Sequence, residues 1–324
     1  MYKGIVIGCG KIGALLEANE KRPRPRTHAS ALTVNPKTSL AALVDTNPEN
    51  LKQASALFPG VPTLSDLKEV LARVRPDIAI VATNPASHAL IVEQCVKSGV
   101  PIIIGEKPLA DSLENAQRIR QAIRKSGATF ALNYQRRYFP LFAHAKKRLA
   151  ADEIGRIHTI ECRYDNGLFN NGGHAIDSMQ FLIGNRIAHV SGTVNARNPT
   201  YPESDPNIDG EGMMQNGVQI FFKSFDQKIS PIHELHVSGE NGSLHVLDYG
   251  YSFEWSDTSG KTTRSERDEV SMTAGALEDA LDAYEKKRSP LSGTPNGIET
   301  LTVLEAFSES AKHNGKRVEV AYTG

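Results

Sequence analysis

The sequence predicts an α/β protein with two parts: an N-terminal doubly wound parallel sheet, then a C-terminal α+β domain with an open, mostly antiparallel sheet. Three observations carry this. Within the first 130 residues, short β-branched-rich apolar runs alternate with helical patterns. A glycine-rich turn follows the first run directly. In the second half the runs become alternating and are separated by glycine turns. A length of 324 residues has room for two domains. We place them at 1–128 and 129–324.

The N-terminal runs are Ile5–Ile7, Leu40–Val44, Ile78–Ala82, Ile102–Ile104 and Thr129–Leu132. None alternates with polar residues, as expected of strands covered on both faces of a parallel sheet. Asn47-Pro48 and Asn84-Pro85 each put a capping Asn before a proline at the first helical position. Asp111 with Glu114 reads as a variant capping box. Later, a helix is expected near 140–151, and strands at 156–165, 189–194, 218–223, 232–238, 243–247 and 251–255. The Gly239–Gly242 stretch between two alternating runs signals a hairpin. Helical patterns return at 172–184, 276–287 and 297–313.

Composition removes several function classes. Lys plus Arg is 37 and Asp plus Glu is 37, so the chain carries no net field for nucleic acid or an anionic membrane. No apolar run approaches the roughly 18–20 residues of a membrane span. The first strand's apolar stretch is too short for a secretory core. Three scattered cysteines, Cys9, Cys95 and Cys162, form no metal-type pairing and argue against a disulfide framework. The expectation is a cytoplasmic protein without a metal.

The turn Gly8-Cys-Gly10-Lys11-Ile12-Gly13 matches G-x-G-x-x-G between a strand and a helical pattern. Gly8 permits the tight turn, Gly10 lets the backbone approach a pyrophosphate, and Gly13 lets helix and strand pack. Asp45 closes the second run, where a carboxylate accepts from adenosine ribose hydroxyls and repels a 2′-phosphate. That favours NAD, with NADP the other possibility. Asp45 stands 32 residues after Gly13, against a usual spacing of about 20. The excess falls in Glu17–Arg26, a stretch with two prolines and four cations that reads as an inserted loop.

Two further motifs bear on chemistry. Glu106-Lys107-Pro108 ends the fourth run, on the edge where ligands sit in such sheets. A lysine near a positive nicotinamide has its charged form disfavoured, which brings it toward acid–base work. Asn170-Asn-Gly-Gly-His174-Ala-Ile-Asp177 places His174 and Asp177 three residues apart on one face of a helix. An imidazole there can exchange a proton with a hydroxyl or carbonyl, and the carboxylate can hold a substrate.

Together these residues resemble the Gfo/Idh/MocA family of nicotinamide-dependent sugar and cyclitol oxidoreductases. The resemblance rests on the glycine turn, on Thr83–His88, on Glu106-Lys107-Pro108, on the Gly172-x-His174-x-x-Asp177 block and on Glu234–Ser243. It implies a Rossmann domain joined to an α/β domain whose open sheet commonly mediates assembly into a homodimer or homotetramer. It also implies hydride transfer between nicotinamide and a ring carbinol carbon. Lys107 and His174 are then the proton-handling residues, with Asp177 binding or polarising the substrate. Thr83, Asn84 and His88 would lie near the cofactor, and Glu106 beside the nicotinamide ribose. Arg136, Tyr164 and Asn170 are candidate substrate contacts, and Arg136 equally a structural ion pair.

The chain departs from the family pattern twice. Asn170 stands where an Asp is usual and cannot act as a base. The family's histidine, normally about three residues beyond the glycine turn, corresponds to His28, after the basic stretch. If that stretch stays near the helix start, Lys21, Arg22, Arg24 and Arg26 could meet an anionic substrate such as a sugar phosphate or nucleotide-sugar. Two other readings share the fold. One is a hydrolase or lyase that retains its cofactor and oxidises a hydroxyl transiently. The other is a non-catalytic, nucleotide-binding sensor, for which proton-transfer groups have no purpose.

Overall fold

A computed structural model describes residues 1–21, 23–197, 204–266 and 271–322. The chain divides into two compact units, Met1–Tyr138 with Glu269–Ile298, and Phe139–Asp268 with Glu299–Gly324.

The first unit runs β1 (Tyr2–Ile7), α1 (His28–Val34), β2 (Thr38–Val44), α2 (Pro48–Leu57), β3 (Thr63–Leu64), α3 (Leu67–Val74), β4 (Ile78–Val81), α4 (Pro85–Lys97), β5 (Ile102–Gly105), α5 (Leu113–Ser126) and β6 (Thr129–Leu132). Its sheet has the order β3-β2-β1-β4-β5-β6, and every pair is parallel. The order reverses between β1 and β4, which opens a crevice at the carboxyl edge where such folds take ligands. The interior strands β4 and β5 are buried throughout, which is why their sequences carry no polar alternation.

Asn47 and Asn84 cap α2 and α4, accepting from Glu49 N at 2.9 Å and Ala86 N at 3.1 Å. At α5 the cap is Ser112, accepting from Asn115 N, and not the expected Asp111, whose carboxylate takes the Asn115 side-chain amide instead. A hydroxyl one residue closer to the first turn has the shorter reach to its free N–H.

The expected division at residue 128 also changes. β6 pairs with β5, so the sheet extends past 128. A later helix, α8 (Ala274–Lys286), belongs to this unit and not to the second, as the sequence had suggested. Its Ala276, Leu277, Ala280 and Leu281 join the core built on Val6, Leu32, Ile80 and Ile104.

The second unit contains α6 (Pro140–Ala150), β7 (Ile157–Tyr164), α7 (Gly173–Ile183), β8 (Ile187–Val194), β9 (Ile208–Met214), β10 (Gln219–Ser224), β11 (His233–Gly239), β12 (Gly242–Leu247), β13 (Ser252–Asp257), β14 (Thr262–Glu266), most of α9 (Thr294–Lys312) and β15 (Val318–Glu319). Their order is β14-β13-β12-β11-β7-β10-β9-β8-β15, antiparallel except for β7 with β10. Alternation puts Ile160, Cys162, Ile220, Phe222, Leu235 and Val237 on the buried face. Phe142 of α6 meets Phe253 at 5.1 Å between ring centroids, and Phe307 of α9 meets Phe222 at 4.8 Å, both edge to face. β9 was not anticipated because Gly210 and Gly212 dilute its pattern. A side chain at either would collide with the β8 carbonyls of Ser191 or His189.

Candidate functional site

The carboxyl edge of the first sheet gathers the predicted nucleotide residues. Gly8 follows β1 with φ +94°, and a Cβ there would strike the Ala82 carbonyl. A Cβ at Gly13 would run into the Gly8 carbonyl. Among the described residues, none beyond its chain neighbours has a heavy atom within 4 Å of where a Gly10 Cβ would stand, so this part of the turn is open to a ligand. Asp45 follows β2 and accepts from Cys9 N at 2.7 Å, Asn47 N at 2.8 Å and the Asn50 amide at 3.0 Å. It therefore ties the glycine turn to the end of β2 while facing the same cleft. That cleft has a volume of about 610 Å³ and is lined by Gly8, Gly10, Asp45, Thr83 and Asn84 among others. Ser65 and Asp66 also line it and were not foreseen, because β3 is too short to give a pattern.

A cradle open at Gly10, closed to side chains at Gly8 and edged by the Asp45 carboxylate fits a dinucleotide. Asp45 and the turn would hold the adenosine ribose and the pyrophosphate. Lys11, beside Gly10, is exposed, and Ile12 is half-buried.

The helix expected to open at this turn does not continue. One turn forms (Ala14 N to Gly10 O, 3.0 Å), and the chain then leaves through a 3₁₀ turn at Leu15–Ala18 and returns at α1. On its return His28 N bonds Ile12 O and Ala29 N bonds Gly13 O, each at 3.0 Å. Each bond spans sixteen residues, twelve more than a helical step. An insertion has been looped out of a helix whose two ends still meet. Those twelve residues account for the excess between Gly13 and Asp45.

Arg26 fastens the loop from inside. It is buried and bonds the carbonyls of Glu17 and Glu20, so it is not available to an anionic substrate as expected. Arg24 is exposed and lies 3.9 Å from Glu17, while Lys21 is exposed and Arg22 lies outside the described residues.

After β5 stands Glu106, whose Oε1 receives two bonds of 2.7 Å, from His28 Nε2 and Asn133 Nδ2. Its Oε2 receives the Lys107 N–H at 3.3 Å. Burial pushes the carboxyl upward, but the His28 bond and charge, the Asn133 bond and the Lys107 charge together hold it below the usual carboxylate range. His88 does not line the cleft. It is buried behind it, its ring nitrogens 3.2 Å from Leu109 O and 3.1 Å from Thr83 O, joining the loops after β4 and β5. Arg136 is buried in a short turn after β6. Cys9, under the glycine turn, has its thiol pushed up to about 12 by burial and by the Asp45 charge, and so is inert.

In the second unit His174 and Asp177 sit on α7, 8% and 1% exposed. α7 has no capping side chain, because it continues a π-helical turn at Gly167–Gly172. That turn is clasped from three sides. Asp205 accepts from Phe169 N at 2.8 Å and Asn170 N at 3.0 Å, Asn207 accepts from Gly167 N at 2.9 Å, and Asp165 accepts from the Asn171 amide at 2.5 Å. Asp165 is fully buried and also receives Ile232 N and the Tyr249 hydroxyl. Tyr249 stands at φ 56° beside Asp248 at φ 51°, a strained pair of non-glycine residues. Tyr164 is not a substrate contact: it is wholly buried, and its hydroxyl both donates to Ile208 O and accepts from Ile208 N.

Residues 3–134 match the family model GFO_IDH_MocA, the oxidoreductase family with an NAD-binding Rossmann fold. The match covers 132 of the chain's 324 residues, all within the first unit, and what it shows is a likeness to this family over that segment. Among curated relatives, inositol 2-dehydrogenase 4 of Saccharopolyspora erythraea is 25% identical over 194 residues, covering 56% of this chain and 55% of its own. The scyllo-inositol 2-dehydrogenase (NAD(+)) of Bacillus subtilis is 28% identical over 158 residues, covering 44% and 46%. The chain thus spans about half the length of these relatives. Over the whole chain the fold is shared with solved structures. An Agrobacterium radiobacter oxidoreductase in complex with NAD+, L-tartaric acid and magnesium has a TM-score of 0.80 at 19% identity, covering 98% of each chain. The aldose-aldose oxidoreductase of Caulobacter crescentus, complexed with glycerol, has a TM-score of 0.82 at 17% identity, covering 98% of this chain and 99% of its own.

Proposed function

We propose that the protein is an NAD-dependent dehydrogenase acting on a ring hydroxyl of a cyclitol or sugar. The observation that carries this is the carboxyl edge of the first sheet, where the open Gly10 cradle, Asp45 and the Glu106–Lys107 turn follow β1, β2 and β5. The names of the two inositol dehydrogenases support the substrate class. Asp45 favours NAD, since its carboxylate accepts from ribose hydroxyls and repels a 2′-phosphate.

NAD, when bound, takes up the hydride that a carbinol carbon gives up on oxidation. The chain supplies the proton handling. Lys107 or His174, in neutral form, takes the hydroxyl proton as the hydride leaves, and returns a proton when the carbonyl is reduced. Asp177 holds a substrate hydroxyl, and Asn170, being neutral, contributes a hydrogen bond and no base. The clasped π-helical turn fixes the start of α7 and with it His174, as a reactive group requires.

The test is NAD reduction by the full chain across free cyclitols, sugars, sugar phosphates and nucleotide-sugars. Turnover with one class is expected, falling by about 10² or more in Lys107→Ala and in His174→Ala while NAD still binds. Silence across the panel with NAD bound would overturn the dehydrogenase reading.

A further inference from the structure

The twelve-residue loop poses a question that the glycine cradle leaves open: why both ends of the interrupted helix still meet. What their meeting delivers is His28. Its ring is fully buried, and its Nε2 lies 2.7 Å from Glu106 Oε1, an oxygen shared with Asn133 Nδ2. Among the described residues, His28 Nδ1 has no hydrogen-bond partner. Burying an imidazole with one nitrogen unmet costs stability, and packing alone would be served better by an apolar side chain. The contact of the ring with Glu106 is therefore the reason for its presence.

The consequence falls on the other oxygen of Glu106. With Oε1 occupied twice, Oε2 accepts, among the described residues, a 3.3 Å bond from Lys107 N. A carboxylate oxygen accepts more than one bond, so Oε2 is the acceptor left for a ligand. Asp45 marks the adenosine side, after β2. A dinucleotide laid across the β1/β4 switch point brings its second ribose to the β5 side, where Glu106 stands. We propose that His28 is a positioning residue: with Asn133 it holds the Glu106 carboxylate turned so that Oε2 accepts from the nicotinamide-bearing ribose. This rests on the reading of the chain as an NAD-dependent enzyme. The loop is tolerated because it leaves His28 on the helical step where an uninterrupted α1 would put it.

The experiment compares NAD+ with ADP, which lacks the second ribose, by calorimetry on the full chain at one pH. Variants are His28→Ala, His28→Gln, Glu106→Gln and the double variant His28→Ala/Glu106→Gln. ADP affinity is expected to stay within about twofold throughout. NAD+ affinity falls about tenfold in His28→Ala and in Glu106→Gln, as for a charge-assisted bond lost. The double variant is no weaker than Glu106→Gln alone, because both changes act through one carboxylate. His28→Gln, which still donates, recovers most of the loss. Unchanged NAD+ affinity in His28→Ala, equal losses of NAD+ and ADP, or additive losses in the double variant each overturn the proposal. If the wild-type chain binds neither nucleotide, the dehydrogenase reading falls first and takes this one with it.

Discussion

Asp45 has two duties at once. Its carboxylate takes three protein donors, one of them the Cys9 amide of the glycine turn, and still edges the cleft. An Asp45→Asn change replaces one acceptor oxygen by a donor, so the three donors and a ribose hydroxyl can no longer all be met. NAD+ affinity should fall about tenfold and the preference over NADP+ should narrow, read by calorimetry with both nucleotides; unchanged preference would remove Asp45 from specificity. Glu106 carries a pH signature. Its carboxyl is held below the ordinary range, so the stability it contributes is present above that range and is lost as pH falls through its lowered pKa. The Tm difference between wild type and Glu106→Gln should therefore be largest near neutrality and shrink below about pH 4. A difference that stays constant down to pH 3 would sink this. The place of Asp45 at the end of β2, on the cleft, was legible in the sequence because it closes an apolar run. The contact of Glu106 with His28 and Asn133 was not, since its partners lie 78 and 27 residues away. Nor does a sequence show burial: Tyr164 sits next to the right turn yet points into the core.

At the scale of elements, legibility followed pattern strength. The buried runs of β4 and β5 and the Asn-Pro starts of α2 and α4 have local causes, so they could be read locally. β3, with two residues, and the glycine-diluted β9 have no periodic pattern to read. The stretch 17–26 was recognisable as an insertion from its prolines and charges, and the backbone bonds extend it to 15–26. Its consequence was not, because the bonds that close it join residues sixteen apart. Deleting residues 15–26 places His28 four positions after Ile12, and the bond that now spans the loop becomes an ordinary helical one. The deletion variant should fold, with its far-UV circular dichroism retained and NAD+ affinity within about threefold, since loop closure of this length changes stability little. Loss of NAD+ binding would show that the loop itself builds the cradle. Comparing neutral with phosphorylated substrates in the same variant reads out whether Lys21, Arg22 and Arg24 serve an anionic ligand.

For the whole molecule, the question is which residues make up the nucleotide-binding unit. Sequence order suggests that it ends near residue 130, but the chain returns to it after the second sheet. α8 lays Ala276, Leu277, Ala280 and Leu281 into the core beside α1 and β5. Thr273 Oγ1 donates to Thr27 O at 3.1 Å, Asn133 Nδ2 to Met272 O at 3.2 Å, and Leu132 N to Ser292 O at 3.0 Å. Burial of a leucine contributes about 1.5–3 kcal/mol, so Leu277 and Leu281 alone match a large part of a small domain's net stability. The fragment Met1–Tyr138 should therefore show helical circular dichroism, bind a hydrophobic dye and unfold without a sharp transition. The same fragment joined through a flexible linker to residues 271–298 should unfold cooperatively and exclude the dye. A sharp, dye-free transition in the short fragment would mean that the parallel sheet closes its core unaided, and that α8 is an ornament to it.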